Sequence, residues 1–115
     1  MLSIVNQTKK AAIAPKTRVA GSWTRRLIGL LGTTALPEGE GLWLSPCTSV
    51  HSFFMRYPID ILFLNAQHEV IHQQTLVPWR LSKVKAKSVG VLELPAGTLL
   101  KTGTTAGDVL SLEPI

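Results

Sequence analysis

The chain has 115 residues, of which 45% are apolar and 17% charged, with a net charge of +5 and one cysteine. This length supports one domain able to bury roughly 65% of its extended surface. The composition excludes a disordered chain, and a single cysteine excludes an internal disulfide framework.

The opening Met1-Leu-Ser-Ile-Val-Asn-Gln-Thr-Lys9-Lys10 is not a secretory signal, because its apolar run is short and the lysines follow it. No apolar stretch is long enough to span a membrane. The untagged chain is therefore expected in the cytoplasm. Residues 1–8 read as a short strand or frayed arm, and residues 1–16 as a loosely attached N-terminal arm of a single domain, 1–115. Residues 17–21 read as another short strand. Ser22 suits a helix N-cap, and Trp23, Leu27, Leu30 and Leu31 then form an amphipathic stripe that stops at Gly32. Pro37-Glu-Gly-Glu-Gly41 is a break, followed by a strand at Leu42–Leu44 that ends at Pro46.

Ile59-Asp-Ile-Leu-Phe-Leu64 is apolar on both faces apart from Asp60, the pattern of a central strand. Asn65–His68 is a hairpin connection, and Glu69–Val77 is the return strand. Pro78–Ser82 is a loop, extended by Lys83, Lys85 and Lys87. Val89–Leu94 is a strand stopped by Pro95-Ala-Gly97, Thr98–Ala106 is a short helical turn or flexible, and Val109–Leu112 is the last strand. The predicted fold is mainly β: a compact antiparallel β-sandwich or half-open barrel with one or two short helices.

The chemistry is concentrated between residues 47 and 60. Cys47, His51 and Met55 are spaced by four and would share a face in a strand or a helix. As soft ligands they suit copper, or zinc without the methionine. One ion can bridge Cys47 and His51 only in a helical turn; extended, four residues span about 13 Å. Thr, Ser, Val and Phe in this run disfavour a helix. The structural alternative is that Cys47 and Met55 pack as core while His51 bonds to backbone. A cysteine-dependent enzyme using Cys47 and His51, with Asp60 as orienter, is a second reading, although partners within four residues are an unusual design.

Asp60 poses the sharpest problem, since a carboxylate inside an apolar strand must find partners. Arg56, His51 and Arg80 are the candidates, and Glu93 raises the same question inside Val91-Leu-Glu-Leu94. The two carboxylates and two arginines could converge on one rim. With Trp79 as a flat wall, His51, Met55, Arg56, Asp60, Trp79, Arg80 and Glu93 would then form a pocket for a small polar ligand, a peptide or a protein partner. A network fixing strand register is the structural alternative. No cofactor motif is present: Lys101-Thr-Gly-Thr-Thr has the letters of a phosphate loop in the wrong order. The basic N-terminal third (Lys9, Lys10, Lys16, Arg18, Arg25, Arg26) and the lysines at 83–87 could attract nucleic acid or an anionic membrane. Without interleaved aromatic residues in either cluster, a solvated basic face is favoured.

Taken in order, several segments resemble the uncharacterised bacterial and archaeal "domain of unknown function" family numbered 192. They are Arg26-Leu-Ile-Gly-Leu-Leu31, Leu36-Pro, Gly41-Leu-Trp-Leu, Pro46-Cys47 with Val50-His51, Met55-Arg-Tyr-Pro-Ile-Asp60, Val77-Pro-Trp-Arg80, Val91-Leu-Glu-Leu94 and Gly107-Asp108. Leu31 departs from the usual methionine, a volume-conserving exchange. The resemblance implies a compact, mainly β domain with short helices and supplies no catalytic residues. Many relatives carry an export signal, which would make this chain a shorter or cytosolic variant. The expected function is a small non-enzymatic binding or accessory domain.

Overall fold

None of the six residues Ile59–Leu64 is exposed, so this strand must be covered on both faces and flanked on both edges. The computed structural model, which describes residues 1–20, 36–53 and 55–115, shows how. The strands are β1 (Leu2–Asn6), β2 (Ala11–Ala20), β3 (Glu40–Leu44), β4 (Ile59–Leu64), β5 (Val70–Leu76), β6 (Gly90–Pro95) and β7 (Leu110–Pro114), with one short helix, α1 (Thr98–Thr102), before β7. They form one sheet in the order β5-β4-β6-β3-β2-β1-β7. β2 and β3 are parallel, and every other pair of these strands is antiparallel.

The sheet curls into a half-barrel, and its two edge strands meet at one end. There Glu69 bridges Val109, and bonds run from Val70 N to Asp108 O (2.8 Å), Gly107 N to Val70 O (2.8 Å) and Leu110 N to His68 O (3.0 Å). Further along, among the described residues, β5 pairs only with β4 and β7 only with β1. The mainly β half-open barrel expected from strand spacing is therefore what forms. The helix expected over 22–31 lies outside the described residues.

Two apolar clusters lie on the two faces of the sheet. The inner one takes residues from every strand: Ile4, Ile13, Ala14, Trp43, Leu62, Leu64, Val70, Leu92, Leu94 and Leu110. The outer one joins Leu42, Leu44, Ile59, Ile61, Phe63, Leu76 and Val91 to Val50 and Met55 from the loop that precedes β4. Successive side chains of β4 thus alternate between two cores, which explains its unbroken hydrophobicity.

The N terminus is not an arm. β1 lies between β2 and β7, with Ile4 fully buried and Ser3 opposite Glu113. β2 begins at Ala11, well before the expected residue 17, and runs through Pro15. A proline cannot donate to a ladder and is tolerated at a bulge. The β1–β2 register shifts between Leu2↔Thr17 and Ile4↔Ala14, and Thr17 Oγ1 donates to Ala14 O (3.1 Å) across the shift.

Candidate functional site

Asp60 is 1% exposed and faces the inner side of the sheet with Leu62 and Leu64. Its Oδ1 accepts a bond from Thr75 Oγ1 (2.7 Å), and its Oδ2 accepts from the amides of Gly97 and Leu99 (both 3.0 Å). The expected partners were Arg56, His51 and Arg80. Instead, Asp60 ties β4 to β5 and to the start of α1. Local chemistry prepares this: Gly97 takes φ +95°, a region open to glycine, and so turns its own amide and that of Leu99 toward one carboxylate.

A second buried carboxylate holds the far end of the same segment. Asp108 accepts from Asn6 Nδ2 (2.9 Å), from Thr105 N (3.1 Å) and, through both oxygens, from Lys9 Nζ (2.9 Å). Asn6 also donates to Thr104 Oγ1 (3.1 Å). Burial pushes the Asp108 carboxyl group up, but the bonds from Asn6, Lys9 and Thr105 outweigh it and hold the group below its ordinary value of 3.8. A depressed folded-state value means that the unfolded chain takes up the proton first. The stabilisation is therefore present above 3.8 and fades as pH falls through the folded-state value. Urea unfolding of the wild type and Asp108→Asn should show a stability gap at neutral pH that narrows steadily below 3.8. A gap independent of pH would contradict the assignment.

Between these two anchors lies a cavity of about 620 Å³, lined by Asp60, Gln73, Gln74, Thr75, Gly97, Leu99, Leu100, Gly103 and Thr104. Of the residues singled out from the sequence, only Asp60 lines it. Gln73 Oε1 is buried and has no hydrogen-bond partner among the described residues.

The remaining candidates lie elsewhere. Glu93 is fully buried, but Ile61↔Glu93 and Asp60↔Leu94 are the paired registers, so the two carboxylates point to opposite faces. They do not converge on one rim. Met55 is 6% exposed within the outer cluster, against which Cys47 also packs. Cys47 Sγ donates to Ser49 O (3.0 Å), and His51 Nδ1 accepts from Phe53 N (3.2 Å). That is the core-packing alternative for this trio. The run 48–52 is not a helical turn but lies antiparallel to 79–85. Its bonds are Ser52 N to Arg80 O, Trp79 N to Ser52 O, Ser82 N to Val50 O and Lys85 N to Thr48 O, all 2.9 Å. Among the described residues, no three His, Cys, Asp or Glu side chains group as a metal site.

These paired loops present His51, Phe53 and Trp79 as a stack, with ring centroids 5.0 and 6.1 Å apart. Trp79 is 54% exposed, and its backbone has φ +63°, a strained region for a bulky residue. The fully buried Ser52 holds it there, donating to Val77 O (2.5 Å) and accepting from Arg80 N (2.9 Å). Arg80 donates to Trp79 O (3.3 Å), and Arg56 is exposed. The lysine ribbon also reaches β5: burial, then Lys85, holds His72 below its ordinary value, with a smaller contribution from Lys83.

Sequence reasoning missed Asn6, Ser52, Gln73, Thr75, Thr104 and Asp108 as site-forming residues. Thr75 could have been found as the cross-strand neighbour of Asp60 once the hairpin register was known. Gln73 follows from the same register, two residues before Thr75 on the same face, whereas Asn6, Ser52, Thr104 and Asp108 depend on contacts between segments far apart in sequence.

The family model for DUF192, described as "Uncharacterized ACR", matches residues 4–112. The chain belongs to the DUF192 family. Among its relatives, the UPF0127 protein PH1112 of Pyrococcus horikoshii is 32% identical over 99 residues, covering 82% of this chain and 84% of the relative. The UPF0127 protein PF1050 of Pyrococcus furiosus is 31% identical over 112 residues, covering 93% and 95%. A crystal structure of a protein of unknown function from Novosphingobium aromaticivorans superposes with a TM-score of 0.82 at 20% identity, covering 96% of this chain and 84% of that one. A Sinorhizobium meliloti protein, provisionally labelled a transcription regulator, gives 0.75 at 19% identity, covering 96% and 91%. At these identities the likeness is one of fold alone.

Proposed function

We propose that this DUF192 domain is a non-enzymatic binding module that holds a small, uncharged, donor-bearing ligand, such as a capped amino acid or short peptide, between β4–β5 and α1. The observation that carries this reading is the cavity of about 620 Å³, pinned at both ends of its 97–108 wall by buried carboxylates. Its volume suits a ligand of drug-like size. Among the described residues, no lysine or arginine lines it, so an anion would find no charged partner from them. An acceptor is better supplied: Gln73 lines the cavity, its buried Oε1 has no hydrogen-bond partner among the described residues, and Leu99 and Leu100 add apolar surface to the same lining.

N-acetyl-leucinamide is a suitable probe, because it pairs amide donors with one apolar side chain. Titration into the ¹⁵N-labelled protein should give saturable shifts at the amides of Gln73, Thr75, Gly97, Leu99 and Thr104. Gln73→Leu removes the acceptor and should weaken binding by about tenfold, the equivalent of one hydrogen bond. Shifts that do not saturate, or a Gln73→Leu variant that binds equally well, would remove the support for this site.

A further inference from the structure

The surface formed by loops 45–58 and 77–89 is distinct from the cavity. From it project Val77, Trp79, Leu81 and Val84, which are 47%, 54%, 68% and 70% exposed. Buried apolar area is the usual fate of such side chains, and four within eight residues of one loop are unusual on a water-facing surface. They are not loose. Ser52 and Ser82 bond the two loops together, and the left-handed backbone at Trp79 fixes the direction in which the indole leaves the chain. Exposure near 70% also shows that Leu81 and Val84 protrude rather than line a recess.

The charges carried by the two loops have one sign. Arg56, Arg80, Lys83, Lys85 and Lys87 lie on the two loops, and none of the seven Asp and Glu residues does. Asp60 and Glu93 are buried in the sheet, Asp108 is tied to Lys9, and Glu38, Glu40, Glu69 and Glu113 belong to other segments. A protruding tryptophan and aliphatic side chains flanked by cations match what the headgroup region of an anionic bilayer accepts: an amphipathic ring at the interface, short apolar insertions and phosphate-paired lysines. A single-stranded nucleic acid would use the cations and the indole but would leave Leu81 and Val84 without purpose. We infer that the Trp79–Lys87 loop is a docking surface for an anionic lipid membrane.

Co-sedimentation with phosphatidylcholine vesicles, with and without phosphatidylserine, tests this. Binding should require phosphatidylserine and should weaken as salt rises. Lys83→Gln/Lys85→Gln/Lys87→Gln should lower affinity by about fivefold per cation removed, or roughly a hundredfold together. Leu81→Ser/Val84→Ser, at exposed positions, should lower it at least about tenfold with an unchanged melting curve, since each removes buried apolar contact. If that pair perturbs folding, Val84→Ser alone gives the same readout on a smaller scale. Two results overturn the inference. One is no binding to phosphatidylserine vesicles at low salt. The other is binding to vesicles, an oligothymidylate and polyglutamate alike that ignores Leu81 and Val84, which would mark a general polyanion surface.

Discussion

Asp60→Ala is expected to lower the unfolding free energy by about 3 kcal/mol, measured by urea denaturation at neutral pH. The carboxylate accepts three hydrogen bonds at 2.7–3.0 Å in a site 1% exposed to solvent. Its removal strands the Thr75 hydroxyl and releases the amides of Gly97 and Leu99, and bonds to a charged acceptor are worth about 1.5–3 kcal/mol each. The three are not independent, and the Gly97 amide can find water once freed, so the sum is an overestimate. Asp60→Asn keeps one acceptor oxygen and should recover about half of the loss. Thr75→Val removes only the β5 bond and should cost about 1 kcal/mol. The same variants should alter exchange of the 97–104 amides before global unfolding, because α1 is held to the sheet through this residue. If Asp60→Ala lost less than about 1 kcal/mol, Asp60 would not be the anchor of α1.

Gly90→Ala is the second large effect, at about 2–3 kcal/mol of destabilisation by overpacking. A Cβ at Gly90 would stand 2.3 Å from Cη2 and 2.4 Å from Cζ2 of Trp43, and 2.9 Å from the Leu44 carbonyl oxygen. Trp43 is 7% exposed in the inner cluster and its ring lies across the glycine, so neither it nor the β3 backbone has room to retreat. Trp43→Phe removes the two ring atoms that clash. In a double-mutant cycle, adding Gly90→Ala to Trp43→Phe should cost less than adding it to the wild type, by about 1 kcal/mol or more. The Leu44 contact remains and prevents full recovery. Additive effects in the cycle would place the clash elsewhere.

Part of this organisation is legible in the sequence. Period-two patterning and turn residues locate β3 to β7 to within a residue or two, because hairpin connections and Gly–Pro breaks are local signals. The unbroken hydrophobicity of Ile59–Leu64 announces a strand covered on both faces. Pro15 hides the first half of β2, because a bulge that tolerates proline is a property of the strand pair and not of one strand. The expected site fares differently. Seven residues chosen for their chemistry are distributed over a cavity wall, two sides of the sheet and a surface loop.

The sequence by itself therefore determined the alternation of strands and turns, the mainly β architecture and the need of Asp60 for buried partners. Those follow from local backbone preferences and from the cost of burying a charge. Only the tertiary structure decided who the partners are. The β4–β6 register sends Asp60 inward and Glu93 outward, although they lie on neighbouring strands. A shift of one residue in that register would exchange the two faces. The partners of Asp60 come from 15 to 39 residues away, across a hairpin and a turn whose closure no local signal encodes. Residues 47–60 are rich in reactive groups, yet pairing with the sequence-distant run 79–85 of the same chain sets which of them reach solvent, and it leaves the stacked rings and the cations of the neighbouring loop on the surface.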